Sequence, residues 1–281
     1  MYITNIQSNY QIDRRLNFTA NPNSQLLKFK HQDFFVNIKG YGKNKDWASS
    51  IVKTADRAVT KMRNCETSDK VLQSIAKGVK IANGFCRDLK KRQHTGILRT
   101  ERKGYGQTGS WNGVELVTPI KGQYRAYEDK LNIISGKPLK SPYHDIEVAK
   151  IDKVDSIDYN IQIVHPDDKF VNNALDRVGG KYFCLKRDYI SNPQKVTKEA
   201  LPQINSDIAE IRWIMAHSMP WERGSDSISN VFTRALYKSI GIKSYPLKEN
   251  ISLDLEAFCT PLEKYKQNFS NYFEKPPEIV E

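Results

Sequence analysis

The sequence predicts an α+β fold: an N-terminal αα-hairpin region, a central mostly antiparallel sheet, and C-terminal helices. Three observations predict it. Two stretches between residues 46 and 89 repeat apolar residues at helical spacing. The segment 131–164 is rich in Ile and Val, much of it at strand spacing, and the last third returns to helical spacing. Helices, then strands, then helices is the order of an α+β chain rather than of regular βαβ winding.

Taken in order, residues 1–25 are a polar arm, read as a flexible leader or secretion signal. Leu27, Phe29, Phe34, Val36 and Ile38 predict a hairpin or two short strands within Leu26–Lys39. Asp46 is placed to cap a helix whose apolar positions are Ile51, Val52, Ala55, Val59 and Met62. The run from Cys65 to Asp69 breaks it, and Val71, Leu72, Ile75, Val79, Ala82 and Leu89 mark a second helix. Together they read as an αα-hairpin within a helical module, 26–95. The remainder, 96–281, reads as an α+β catalytic domain.

Six glycines between Gly96 and Gly122 predict loop, with one strand near Val114–Val117. Strands are expected at Leu131–Ile134, around Ile146, Val148 and Ile151, and over Ile157, Tyr159, Ile161 and Ile163. Gly179-Gly180 then introduces Lys181–Lys186, read as a further strand. Ser206 is expected to cap a helix ending at Pro220, and Ser225 or Asp226 another, which Gly241 closes. A short helix is expected over Leu253–Tyr265, before a Pro-rich end.

Composition narrows the function classes. No stretch approaches the roughly 20 apolar residues of a membrane-spanning helix, and the N-terminus lacks the basic-then-apolar pattern of a Sec signal peptide. Lys plus Arg number 44 against 32 Asp plus Glu, a net +12 that attracts polyanions and equally serves solubility. The basic residues are dispersed, with no recognition fold for specific nucleic acid. Cys65, Cys86, Cys184 and Cys259 form no CxxC, so neither a metal site nor a disulfide scaffold is expected. Phosphate-loop, HExxH, GxSxG and EF-hand patterns are absent.

The candidate chemistry lies with a thiol and an imidazole. A nucleophilic Cys needs a nearby base and a group that orients that base. His144, with Asp145 beside it, precedes the expected Ile146 strand, and Cys184 lies in an expected strand 40 residues on. Neighbouring strands of one sheet can bring two such residues face to face; the bland alternative is a buried Cys184. His217, in the loop His217–Asp226 with Trp221, Glu222, Arg223 and Ser225, is a rival base. That loop also reads as a plain helix–helix corner.

The Tyr143-His144-Asp145 step and the Lys181-Tyr182-Phe183-Cys184 run resemble type III secretion effectors of the OspB type. Those effectors are similar in turn to the cysteine protease domains of large bacterial MARTX toxins. The resemblance implies an effector cysteine protease acting on a host protein in the host cytosol, exported without a Sec signal. Cys184 would attack a peptide carbonyl while His144 takes and returns the proton, with N–H groups near Gly179 and Gly180 facing the oxyanion. No cofactor is needed for that chemistry. The resemblance also implies an inositol polyphosphate activator, for which Arg99, Arg102 and Lys103, or Arg87, Lys90, Lys91 and Arg92, are candidate ligands. Two alternatives stand beside it: a thiol-dependent fatty acyltransferase acting on lysines of host GTPases, and a nonenzymatic effector binding a polyanion or membrane.

Overall fold

The computed structural model describes residues 27–38, 42–86, 93–101, 116–135, 137 and 139–280. The two expected N-terminal helices are present as α1 (Lys45–Arg63) and α2 (Ser68–Asn83). Asn44 caps α1, its side-chain oxygen accepting the Trp47 N–H at 3.0 Å. Asp46 sits instead in the first turn, where its charge complements the helix dipole. Ile51, Ala55, Ala58 and Met62 of α1 and Val71, Ile75, Val79 and Ala82 of α2 are buried. Gly78 lets the helices approach: a Cβ there would lie 2.3 Å from the Thr54 side chain.

The hairpin expected over 26–39 is not formed by the described residues 27–38. Asp33 accepts the Lys30 N–H at 2.6 Å and closes a 3₁₀ turn, His31–Asp33. That turn brings Phe29 and Phe34 edge to face, 5.3 Å apart.

The sheet is smaller than expected. β1 (Val117–Ile120), β2 (Lys150–Lys153) and β3 (Ile161–Val164) form an antiparallel sheet in the order β1-β3-β2. Val164 stands opposite both Val117 and Lys150. Leu131–Ile134, expected as a strand, instead ends helix α3 (Arg125–Ile134), whose Tyr127 and Leu131 are buried one turn apart.

Lys181–Lys186 is not a strand: Cys184 lies near the end of helix α4 (Lys169–Leu185), which runs into a π-helical turn, Lys186–Ile190. Val171, Ala174, Val178, Tyr182 and Leu185 form its buried stripe, the i, i+3, i+4 recurrence of an amphipathic helix. Gly179 and Gly180 are interior residues of α4 rather than a turn.

Helix α5 (Leu201–Ser218) starts five residues ahead of Ser206, with Pro202 in its first turn, where a missing N–H costs nothing. It ends where Met219 turns left-handed, at φ 44°, before Pro220. Gly224, at φ 84°, precedes α6 (Ser225–Ile240), so Ser225 and Asp226 lie inside the first turn. Gly241, at φ 99°, closes α6 as expected. Thr260-Pro261 splits the last expected helix into α7 (Leu253–Cys259) and α8 (Leu262–Asn268). Finally β4 (Ile242–Lys243) pairs antiparallel with β5 (Glu278–Ile279).

α5 is the hub of the molecule. From Ile208 to Ser218 every residue is buried, because α4, α6, α7 and α8 pack around it. Trp213 is sealed there, its indole N–H donating to the Thr260 carbonyl at 3.0 Å. One hydrophobic cluster runs from Phe29 through α1, α2 and the sheet to Phe273. α1 packs on α6, and Arg63 donates to the Lys238 carbonyl at 3.0 Å. A boundary at residue 95 therefore passes through a continuous core.

Candidate functional site

The polar residues that the fold gathers lie where α5 ends, β3 ends and α4 begins. His165 follows β3 directly and is buried. Its Nε2 pairs with Thr118 Oγ1 at 2.9 Å, and its Nδ1 faces the His217 carbonyl at 3.4 Å. His217, at the end of α5, accepts the Ala149 N–H on Nδ1 at 3.1 Å and donates from Nε2 to the Ala257 carbonyl at 3.2 Å. Burial lowers both imidazoles to a pKa of about 3, since a charged ring there would lose its hydration. The rival base is thus a neutral crosslink between α5, the chain leading into β2, and α7.

Arg99 belongs to the same region. Its guanidinium is buried, donates to the Ser218 carbonyl at 2.9 Å and the Pro166 carbonyl at 2.6 Å, and pairs with Asp168 at 2.7 Å. A buried cation is tolerated only with such partners. Arg99 is therefore a structural clamp and not the exposed anion ligand expected from the sequence. Arg102, Lys103, Arg87, Lys90, Lys91 and Arg92 lie outside the described residues.

The loop His217–Asp226 is likewise built into the frame. Arg99 N–H donates to the Pro220 carbonyl, Glu222 N–H to Ile97 and Gly96 N–H to Arg223, at 2.9, 3.0 and 3.1 Å. Buried Glu222 reaches His94 Nδ1 at 3.0 Å, and Ser225 Oγ accepts the Trp221 N–H at 2.9 Å. A further cluster joins buried Arg212 of α5 to buried Asp254 and to the partly exposed Asp226. Burial raises the Asp254 carboxyl above its ordinary range, a shift that Arg212 partly offsets.

In front of His165 opens a cleft of about 240 Å³. Glu147, Lys150, Asp167 and Lys169 give its rim charges of both signs, and Val148 and Phe170 add apolar surface. The rim runs into β2, an edge strand. Among the described residues, no chain segment hydrogen-bonds to the outer edge of β2.

The thiol candidates are arranged differently. Cys184 is exposed on α4, next to Phe183, which is 55% exposed. No hydrogen bond joins its sulfur to an imidazole among the described residues. The Tyr143-His144-Asp145 step is pinned elsewhere on α4: Asp145 accepts from Arg177 Nη2 at 2.7 Å and Nε at 3.1 Å, and its carbonyl accepts from Asn173 at 2.9 Å. Arg177 stacks over the Tyr143 ring at 4.2 Å, and the Tyr143 hydroxyl donates to Glu210 at 2.6 Å. The Arg177 guanidinium holds the Asp145 carboxyl below its usual range. Among the described residues the Asp145 carboxylate is hydrogen-bonded to Arg177 rather than to His144. From Arg177 to Cys184 is seven residues, roughly 10 Å along the helix axis. Gly179 and Gly180 lie within the intervening helix, so their N–H groups face along its ladder, not toward an oxyanion. The structure does not bring Cys184 and His144 into a pair.

The sequence did not single out His165, Asp168, Arg212 or Asp254 as site residues. A signal for the first two was present: His165 is followed by three turn-type residues, Pro166-Asp167-Asp168, between an alternating strand and an amphipathic helix. Among the described residues, no cluster of His, Cys, Asp and Glu is arranged to hold a metal ion.

The AvrB_AvrC avirulence-protein family model matches residues 39–276. The chain belongs to this family. The match covers the αα-hairpin, the sheet and every C-terminal helix. As a member of the AvrB_AvrC family the protein is a bacterial avirulence effector that acts on a host. The effector class expected from the sequence stands; the particular likeness to OspB-type effectors and MARTX peptidases is no part of the match. No curated protein matches the chain. Among the described residues, no helix is long and apolar enough to cross a membrane.

Proposed function

We propose that this avirulence effector, once delivered into the host cell, acts by binding an extended segment of a host protein along β2 and into the cleft before His165. The observation that carries the proposal is the unpaired outer edge of β2 running into a cleft with a charged rim. An open edge offers unpaired N–H and C=O groups to an incoming strand, while side-chain pockets choose its sequence. Ile151 is buried while Lys150, Asp152 and Lys153 are exposed, so the edge is charged enough to resist pairing with itself. On the far side of the sheet, Pro119 in β1 blunts the other edge. The neutral, hydrogen-bonded His165 gives the cleft a fixed wall.

The test is charge reversal at the rim. Lys150→Glu combined with Lys169→Glu should abolish the host response and the crosslinks formed from a photoreactive residue at Val148. Its melting temperature should match the parent protein. A full host response from that variant would refute the proposal.

Thiol chemistry is a second reading, and the exposure of Cys184 beside Phe183 favours it. It requires His144 to approach from the Arg177 end of α4. A peptidase and a lysine acyltransferase would share this nucleophile. Loss of activity in both Cys184→Ala and His144→Ala, with folding intact, would support thiol chemistry over pure binding. An activating inositol polyphosphate has no support from Arg99, which is already paired.

A further inference from the structure

A second surface lies on the αα-hairpin, on other elements than the cleft, and does not depend on that reading. Between α1 and α2 runs a trough of about 390 Å³. Ser49, Ser50 and Gly78 keep it open, and Ile81 and Phe85 form one wall. Ile81 stands in the last turn of α2 and Phe85 in the turn that follows the helix, and they are 61% and 51% exposed. A residue pair at i, i+4 with that much uncovered hydrocarbon is the kind of patch that marks a binding surface. Across the trough stand Lys53 and Arg57 of α1.

The charges on this helix pair are not all alike. Asp56 is paired with Lys238 at 2.8 Å and Lys61 with Glu66 at 3.1 Å. Lys53 and Arg57 have no carboxylate partner among the described residues and point into the trough beside the apolar pair. Asp46 lies at the opposite end, beside Phe85. Among the described residues the trough is thus cationic at one end, apolar at Ile81 and Phe85, and acidic at the other. Along α1 and α2 the backbone groups are spent within the helices, so an occupant there is held by side chains. From Asp46 to Arg57 is about 16 Å, roughly three helical turns.

We propose that this trough docks an acidic amphipathic helix of a host protein. Two bulky apolar side chains, one turn apart, cover Ile81 and Phe85, and carboxylates one to two turns away meet Lys53 and Arg57. The charge order fixes the direction: the acidic end of the ligand lies over Arg57 and its neutral or basic end over Asp46.

Fluorescence anisotropy with the full chain tests this. The probe is a labelled helical peptide with Leu at two positions four apart and Glu at one end, compared with the same peptide carrying Lys for Glu. Both peptides should bind saturably, the Glu peptide more tightly by on the order of ten-fold. Lys53→Glu with Arg57→Glu should reverse that preference. Phe85→Ser should weaken both peptides by on the order of ten-fold while leaving the charge preference intact. All three positions are at the surface, and circular dichroism melts establish that each variant is folded. Equal affinity for the two peptides, or affinity unchanged in the variants, overturns the proposal. So does a trough-dependent association with phosphatidylserine vesicles, or self-association lost in Phe85→Ser, where the peptide does not bind.

Discussion

His217 shows how much a single residue's surroundings decide. In the sequence it stands in a loop-like stretch with Trp221, Glu222 and Arg223, and an imidazole there reads as a base. Burial was the missing information: both ring nitrogens are taken by backbone groups from two other parts of the chain, which no local pattern announces. A pH dependence follows. His165 and His217 titrate near 3 when folded and near 6.5 when unfolded, so the unfolded chain binds protons first as pH falls. Their contribution is complete above about pH 6.5 and is lost progressively down to about pH 3. At pH 5 the loss is on the order of 2 kcal/mol for each histidine. Urea denaturation at pH 7 and pH 5 measures it, and His217→Gln should reduce the difference. Arg99 gives a second expectation. Arg99→Ala removes an ion pair to Asp168 and the donor of two buried carbonyls and should cost about 3–5 kcal/mol in the same assay. A loss below about 1 kcal/mol would show that the clamp contributes no more than a surface pair.

At the scale of elements, amphipathic spacing was legible wherever it ran long enough. α1, α2 and α6 each repeat apolar residues over three or more turns, and their positions could be read directly. α4 carried the same signal in Val171, Ala174, Val178, Tyr182 and Leu185. It was obscured because Tyr182-Phe183-Cys184-Leu185 suits a strand in a short window and Gly179-Gly180 suggests a turn. Length decides between such readings, and tertiary packing overrides local preference. The misplacement of Cys184 followed directly, and with it the thiol site. Two glycines make the packing testable. Gly180 has open space where a Cβ would go, so Gly180→Ala should stabilise the protein by about 0.5–1 kcal/mol. Gly78→Ala would drive a methyl into Thr54 and should destabilise by about 1–3 kcal/mol. Paired with Thr54→Ala, part of that loss should return, and a double-mutant cycle on thermal melts reads the coupling.

For the whole molecule, the +12 charge and the α+β class were readable from composition and element order. How the parts join was not, because contacts such as Arg63 to Lys238 connect residues far apart in sequence. The continuous core from Phe29 to Phe273 spans what the sequence suggested as two modules, and the two should unfold as one cooperative unit. Differential scanning calorimetry should record a single transition whose calorimetric and van't Hoff enthalpies agree. A fragment covering only 96–281 should fail to fold, since α6 would lose the apolar face of α1. The sealing of Trp213 within α5 also turns the hub into an optical gauge. In a variant keeping that indole as the sole fluorophore of its kind, emission should be blue and shielded from acrylamide. A shift to the red would then time the moment when the shell of helices parts, and it should coincide with the loss of helical circular dichroism.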